Sequence, residues 1–577
     1  MGLNKFKNKI SKCDVISFDI FETLIRRSFA KPSDLFRYID KYYPNESFSF
    51  LEVRRQAEQE ASTLNNNFCP SFEEIYSIIE QRHGNSIASY YKDLEQNLEL
   101  ANCQANPEII SLFLKAKALN KTVIIISDMY FSKDFLKQLL NKCGIEGYDE
   151  LFVSSELKKS KHTGEIFQAI KKLYPHQKIL HIGDSLRGDY IKPKLKGIKA
   201  VHYKKYEFKK SSLEKQTIEK IFYNQRNSNA YYNLGFTTLG PALFGFVQWL
   251  HQELVKNEYQ RIVFLSREGK LIKEVFDRMF DDIQTQYFYV SRRSTRCIYL
   301  SEVKTSQDII NIYPLKKSMT KEKYFSELGL TIEDKELITK EDILNIDEKT
   351  LKEIQRINLL NKQKLLAYLK QENVVNKTAL CDIGWNGTMQ DCLQSLEIAD
   401  IHGYYYALSS ESKNKTGYID YRYVRPFVHL IENMFIANHG TTLGYQECEE
   451  GIRPILDCYE LEQGVYGKIQ EGAIDFINSM KEIFDFKLTL SSRLANENIL
   501  RLGLCPTKAD INLFKKTSYL EGEKFSLFTT KSLFYYIFHL KKFKRDFYNS
   551  GWKIAFLKSV FLMRLPYYRL YKIRKKK

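Results

Sequence analysis

The sequence has no CxxC pair and no Cys/His cluster, although ten cysteines are scattered from Cys13 to Cys505. That spacing argues against a disulfide framework and against a zinc site, and fits a reduced cytosolic chain. The opening "MGLNKFKNKISKCD" lacks an apolar signal core, which argues against secretion. Long apolar runs are missing too. The longest uncharged stretch, "NSNAYYNLGFTTLGPALFGFVQWLHQ" at 227–252, has Asn, Gln, Thr, Gly and Pro through it. A span needs ~20 mostly apolar residues, so this stretch reads as a buried packing helix. Neither an internal repeat nor a low-complexity linker is found. Acid is scarce at one end only. Residues 531–577 carry 14 Lys/Arg against one acid, Asp546, which leaves about +5 of the net +18 for everything before them.

What is present is enough for sizeable cores: 44% of the 577 residues are hydrophobic, and the length suggests about three domains. From Lys12 to Tyr203, short β-branched runs alternate with helical stretches. The strands expected are "DVISFD" (14–19), "TVIIIS" (122–127), "LFVSS" (151–155), "KILHIG" (178–183) and "KAVHY" (199–203). Such alternation gives an α/β fold with a parallel sheet and helices on both faces. Between about 30 and 120 the chain is helical, charged and strand-poor, as expected of a cap inserted after the first strand. Such a cap would lie over the carboxyl edge where open α/β sheets bind ligands. The first domain is therefore set at 1–214. A second α/β, Rossmann-like domain follows at 215–470, with strands "RIVFLS" (261–266), "QYFYVS" (286–291), "TALCDIG" (378–384) and "GYYYAL" (403–408), and a helical insertion at about 303–375. Residues 471–577 read as helical and increasingly basic.

In the first domain, candidate chemistry falls at strand ends. Asp19 closes the first strand and Ser127 the second; Lys161 lies in "SSELKKSKHTGEIF", and Asp184 and Asp189 lie in "HIGDSLRGD". A carboxylate such as Asp19 can attack phosphorus and form an aspartyl-phosphate. Ser127 and Lys161 can hold the non-bridging oxygens, the lysine neutralising charge as it builds. Asp19 and Asp184 can hold a hard cation, for which Mg²⁺ is suited, with Asp189 in support. Taken singly, Ser127 could be a helix cap, Lys161 surface charge and Asp184 a turn residue. In this order the four motifs resemble those of the haloacid dehalogenase superfamily, over about 200 residues.

The resemblance implies that the Phe21 backbone carbonyl completes the metal shell. It places Thr23 and Asp128 with Ser127 and Lys161 as phosphate-binding residues. It also selects Lys161 over Lys158 and Lys159, because an apolar pair follows five residues after it in "KHTGEIF". One departure matters. The superfamily's phosphatases carry an acid two residues past the nucleophile to protonate the leaving oxygen, help worth ~10²–10⁴-fold, and this chain has Phe21. The leaving group could then be a good one, such as a phosphoanhydride. A proton could come from Glu22 or from the cap. Or turnover could be lost while metal and phosphate binding remain. Branches with a non-acid there include dehalogenases and phosphonate hydrolases, but the metal acids of "GDSLRGD" favour a phosphate ligand.

A second candidate site is "LCDIGWNGTMQDCL" (380–393), a strand, a turn with two glycines and a helix. Gly384 and Gly387 would let the backbone approach a ligand, and Thr388 could cap the helix, whose N-terminus suits anions. Arg267 in "FLSREGK" and Arg292 and Arg293 in "VSRRST" could meet there with Asp382, Trp385 and Asn386, or could form a structural salt-bridge network. His439, in "IENMFIANHGTTLGY", reads as a loop histidine.

The set "FDIFETLIRR", "SSELKKSKHTGEIF", "FLSREGK", "DIGWNGTMQ" and "GYYYAL" is similar to large haloacid-dehalogenase-superfamily proteins of bacterial surface-polysaccharide gene groups. The resemblance covers roughly 12–450 and implies capsule or lipopolysaccharide assembly, beside glycosyltransferases. Its substrate would be a phosphorylated sugar, a nucleotide sugar or a lipid-linked glycan. The basic tail interleaves 13 aromatics with its bases. Such a mix suits an anionic membrane surface; single-stranded nucleic acid is the rival, and a solvated helix pair the plain alternative. Trp552 with "IAFLKSVFLM" favours the membrane. The expectation is a cytoplasmic Mg²⁺-dependent phosphohydrolase or phosphotransferase held peripherally at the inner face of the plasma membrane. Two rivals stand beside it: a glycosyl- or glycosyl-phosphate transferase using the second domain, and a non-enzymatic scaffold.

Overall fold

The computed structural model describes residues 4–65, 69–225, 227–315, 319–374, 376–458, 463–520, 524–563 and 565–575. The chain forms two compact units, Met1–Arg226 with Ser479–Leu488, and Asn227–Asn478 with Thr489–Lys577.

The first unit is built on five parallel strands, β1 (Val15–Phe18), β4 (Thr122–Ser127), β5 (Glu150–Val153), β6 (Ile179–Gly183) and β7 (Lys199–His202), in the order β5-β4-β1-β6-β7. The central strands β1 and β6 are buried along their whole length, which is why they read as β-branched runs without alternation. From β1 the chain builds β4 and β5 on one side, then crosses to build β6 and β7 on the other. The direction of winding thus reverses between β1 and β6, where such sheets open a crevice at their carboxyl ends. "LFVSS" is a strand only to Val153. Ser154 begins a one-turn helix, and its hydroxyl accepts the Met129 N–H at 3.2 Å.

Two three-residue strands, β2 (Ile25–Arg27) and β3 (Cys103–Ala105), pair antiparallel and bracket the inserted helices. These are α1 (Pro32–Tyr42), α2 (Phe50–Leu64), α3 (Phe72–His83) and α4 (Asn85–Asn102). Ser49 and Ser71 cap α2 and α3 through their hydroxyls, and Glu74 closes a capping box on Ser71. The helices are locked by Arg54, fully buried, whose guanidinium donates to both Glu95 oxygens at 2.8 and 3.0 Å. The Arg54 guanidinium also lies 4.7 Å from the Tyr130 ring, just past β4, which ties the insertion to the sheet.

The second unit carries its own parallel sheet, β8 (Arg261–Leu265), β9 (Gln284–Phe288), β10 (Asn376–Asp382), β11 (Ala399–Leu408) and β12 (Lys415–Asp420), in the order β12-β11-β10-β8-β9. Its winding reverses between β8 and β10. The uncharged stretch at 227–252 supplies helix α5 (Gly240–Lys256), whose residues from Gly240 to Gln248 are all buried. Among the described residues no helix is long and apolar enough to cross a membrane. The insertion between β9 and β10 keeps a small core of its own around Ile309, Tyr324, Leu328 and Ile354.

β12 and a hairpin, β13 (Thr442–Cys448) with β14 (Gly451–Leu456), were not expected from the sequence. They are half-exposed edge elements, and β14 contains Pro454, so neither shows an apolar run. The region from 471 onward also includes a short strand pair, Ser518–Leu520 with Lys524–Ser526. One reading of the tail is corrected. Trp552 is not a membrane-facing anchor: it is fully buried, its indole N–H donates to the Gly503 carbonyl at 3.0 Å, and its ring packs against Phe514 and Phe528. Ile554, Ala555 and Phe556 are buried beside it in sequence.

Candidate active site

The crevice of the first sheet is occupied by a chain of charged and polar groups. Asp19 follows β1 directly, and its N–H continues the ladder to the Ile182 carbonyl at 3.0 Å. Lys161 Nζ lies 2.6 Å from Asp19 Oδ1 and 2.7 Å from Asp189 Oδ1. Both Asp128 oxygens accept the Lys161 backbone N–H, at 2.9 and 3.0 Å, so exposed Asp128 fixes the loop that delivers the lysine. Lys158 points elsewhere, to Glu74 at 3.1 Å.

Asp189 is held from three sides. Besides Lys161, its Oδ1 lies 3.0 Å from His181 Nε2, and its Oδ2 accepts the Ser185 N–H at 2.9 Å. Gly183 makes room for it. A Cβ there would stand 2.4 Å from the Asp189 carboxyl carbon, so the glycine at the end of β6 is a packing requirement. His181 Nδ1 lies 2.8 Å from Ser17 Oγ, its neighbour across the β1–β6 register.

Burial fixes the charge states. It lowers the pKa of His181, leaving a neutral ring. Asp189 can only accept, so Nε2 carries the proton and Nδ1 accepts from Ser17. Burial opposes ionisation of Asp189, but Lys161 and His181 outweigh it and hold its pKa far below the usual carboxylate range. Asp19 goes the other way. Its burial outweighs Lys161, and the charges of Asp189 and Asp184 add to push its pKa up to about 7. Lys161 is shared between Asp19 and Asp189 and does not neutralise both.

Asp19, Asp184 and Asp189 offer oxygens that all lie within 4.8 Å of one another. An oxygen-only donor set with surplus negative charge fits a hard divalent cation such as Mg²⁺. Asp184 also pairs with Lys205 at 2.6 Å.

Two hydroxyls predicted to bind phosphate are buried: one on Ser127, the last residue of β4, and one on Thr23, four residues after Asp19. Ser127 Oγ and Thr23 Oγ1 are fully enclosed, and neither has a hydrogen-bond partner among the described residues. Buried polar atoms are normally paired, and a phosphate oxygen is an acceptor for a hydroxyl at either position.

Phe21 opens the turn after β1. The Arg27 guanidinium lies 3.7 Å from the centre of its ring, and Arg27 Nε donates to Glu99, at the end of α4, at 2.7 Å. Glu22 is also committed. Its two oxygens accept from the Arg27 N–H at 3.3 Å and from Lys220 Nζ at 2.5 Å.

The second sheet brings together part of the second candidate set at its own reversal point. Asp382 ends β10, is buried, and accepts the Ile383 N–H at 2.8 Å. Burial, reinforced by the charge of Glu268, pushes its pKa up to about 8 against the pull of that N–H and of Arg292. Glu432 shows the opposite balance. Burial would raise its pKa, but His429 at 2.7 Å, the Trp385 indole N–H at 2.9 Å and Arg292 hold it down. Arg267 sits beside Glu268 at 3.9 Å, while Arg293 turns to Glu327 at 3.1 Å and the Ser326 carbonyl, so the three arginines do not form one cluster.

Gly384 and Gly387 have positive φ, and a Cβ on Gly384 would overlap the Ala407 carbonyl at 2.1 Å. Gly387 occupies the cap position of the seven-residue helix Thr388–Gln394, and exposed Thr388 is its first residue. Exposed Asn386 accepts from Ser409 at 2.7 Å. His439 Nε2 lies 2.7 Å from the Tyr287 hydroxyl.

His181, Ser17, Gly183, Lys205 and Arg27 are site residues that the sequence motifs did not single out. A histidine inside an otherwise apolar strand was the available signal for the first of them.

No protein-family model and no curated protein matches this chain. Solved structures similar to part of it are haloacid-dehalogenase-type hydrolases. The L-2-haloacid dehalogenase from Xanthobacter autotrophicus is 14% identical over 33% of this chain and 77% of its own, with a TM-score of 0.24. A hydrolase from Streptococcus pneumoniae TIGR4 is 16% identical over 34% and 94%, with a TM-score of 0.22. The HAD-hydrolase YfnB from Bacillus subtilis, bound to magnesium, is 14% identical over 33% and 87%, with a TM-score of 0.25. Values of this size leave the chemistry of the site to its own geometry.

Proposed function

We propose that the first unit is a Mg²⁺-dependent phosphohydrolase or phosphotransferase that uses Asp19 as nucleophile on an activated phosphate. The observation that carries this reading is Lys161, locked between Asp19 and Asp189, two of the three carboxyls that converge at this sheet end. Mg²⁺ held by Asp19, Asp184 and Asp189 would supply positive charge against the phosphate oxygens. Asp19 attacks phosphorus through its free oxygen, an O–P bond forming as the bond to the leaving group breaks. Lys161 offsets the charge that gathers on the non-bridging oxygens, and the Ser127 and Thr23 hydroxyls donate to them. Attack of water, or of an acceptor hydroxyl, on the aspartyl-phosphate restores Asp19. Nothing at position 21 donates a proton, and Glu22 is tied to Lys220 and Arg27, so the leaving group departs as an anion. A phosphoanhydride does so readily. Together with the polysaccharide resemblance, this favours a nucleotide sugar or a lipid-linked diphosphate glycan over a simple sugar phosphate.

The test is Mg²⁺-dependent phosphate release from these three substrate classes, with Asp19→Asn as control. Release that falls about 10³-fold or more in the variant supports the aspartyl route; release that persists overturns it. A second reading is favoured by one observation. Asp382 and Glu432 have environments that push their pKa values apart, as in an acid–base pair, which suits a glycosyl- or glycosyl-phosphate transferase in the second unit. Glycosyl transfer lost in Asp382→Ala but kept in Asp19→Asn would select it.

A further inference from the structure

The helices α6 (Leu533–Phe538) and α7 (Leu540–Asn549) have two unlike faces. The inner one belongs to the core. Tyr536, Phe543 and Phe547 lie with ring centres 5.9, 5.6 and 5.8 Å from that of Phe556 in helix α8 (Lys553–Phe561). The outer one is apolar and open. Phe534, Phe538, Leu540 and Tyr548 are 73%, 71%, 67% and 71% exposed, and Ile537 is 55% exposed. Phe534, Ile537 and Phe538 follow the three–four spacing of a single helix face, and the two phenylalanine rings lie 5.6 Å apart. Five large apolar side chains thus stand in the open between Phe534 and Tyr548, and exposed apolar patches mark interaction surfaces.

Bases surround this patch. Lys541, Lys544 and Arg545 are exposed on the second helix and Lys531 just before the first, and no acid occurs from 531 to 545. The next residue, Asp546, accepts from the Tyr536 hydroxyl at 3.0 Å and pairs with Arg545 at 3.6 Å.

We propose that the outer face of residues 531–548 docks on an anionic lipid bilayer. Charge complementarity selects the occupant. Phe534, Ile537, Phe538 and Leu540 enter the boundary between headgroups and acyl chains, while the lysines and Arg545 remain at the lipid phosphates. A nucleic-acid strand fits less well, because Ile537 and Leu540 interrupt the aromatics and offer no ring on which a base can stack. The surface is separate from Trp552, which belongs to the core.

Each base at an anionic surface contributes about fivefold in partitioning. The full chain, sedimented with vesicles of phosphatidylcholine containing about a third phosphatidylglycerol, should bind them. It should bind vesicles of phosphatidylcholine alone far more weakly, and release with salt. Lys541→Gln with Lys544→Gln should weaken binding about 25-fold, and Phe534→Ser with Phe538→Ser should abolish it. All four positions are outside the core, so the two pairs test charge and insertion without emptying a packed site. Three results would each overturn the proposal: no binding to the mixed vesicles, equal binding to both kinds, or binding indifferent to both variant pairs. So would polyuridylate binding lost in the same variants while vesicle binding is absent.

Discussion

Phe21 stands where an acid would protonate a leaving group, and its ring is covered by the Arg27 guanidinium. An aspartate there would bring a carboxyl to the turn after β1, and Arg27 already has a carboxylate partner in Glu99. Phe21→Asp should therefore raise phosphate release from substrates with poor leaving groups by ~10²–10⁴-fold and change release from anhydrides little. Rates plotted against leaving-group pKa check this, because the slope should flatten in the variant; an unchanged slope would mean that the proton comes from elsewhere.

Asp382 gives a second prediction at this scale. Its folded pKa, about 8, lies above the unfolded value of 3.8, so the native state keeps a proton that the unfolded chain releases. Stability is then lost as pH rises between those two values. Asp382→Asn keeps an acceptor for the Ile383 N–H but cannot ionise. Its stability advantage over the native chain should widen by about 1.4 kcal/mol per pH unit up to about pH 8 and level off above. Denaturant titrations across pH 5–9 measure the gap, and one that stays flat would refute the protonated state.

Why some site residues are legible in the sequence and others are not follows from the same geometry. Asp19, Ser127, Lys161 and Asp184 stand at strand ends or on loops, and Asp189 in the short helical segment Leu186–Ile191 just after one, where polar residues interrupt apolar runs. Ser17 and His181 lie inside such runs, and their pairing exists only through the register of β1 on β6.

At the scale of elements, the inserted helices depend on one ion pair. Arg54 and Glu95 are both fully buried, and Arg54 is the basic partner of Glu95, so removing Arg54 strands the Glu95 charge. Arg54→Ala should cost about 3–5 kcal/mol and release hydrogen-exchange protection across α2–α4. Arg54→Met combined with Glu95→Leu should recover most of it. A double variant no better than the single one would show that the pair is not what holds these helices. The helices themselves were legible as a charged, strand-poor stretch, and the structure caps two of them with Ser49 and with Ser71 and Glu74. The strands buried on both faces were legible as β-branched runs. The strands that escaped notice are short, such as β2 and β3, or half-exposed at an edge, such as β12 and β14. Their existence depends on a pairing partner far away in sequence, and local composition does not record it.

Over the whole molecule, two parallel sheets each present a crevice where their winding reverses, and their electrostatics differ. In the first, three carboxyls face two lysines, Lys161 and Lys205, and burial together with the charges of Asp189 and Asp184 raises the pKa of Asp19. In the second, Asp382 meets its balance by keeping a proton. A divalent cation therefore has a reason to bind the first crevice and none to bind the second. Mg²⁺ should raise the melting temperature of the full chain, the stabilisation reaching about 2.7 kcal/mol when the metal is at a hundred times its dissociation constant. Asp184→Asn should abolish that shift, whereas Asp382→Asn should leave it intact. Metal binding needs Asp19 ionised, and the carboxyl holds its proton up to about pH 7, so the shift should shrink as pH falls from 8 to 6. Thermal melts of the three chains at both pH values, with and without Mg²⁺, measure this directly. A shift lost in Asp382→Asn and kept in Asp184→Asn would place the metal in the second sheet, and the proposed chemistry with it.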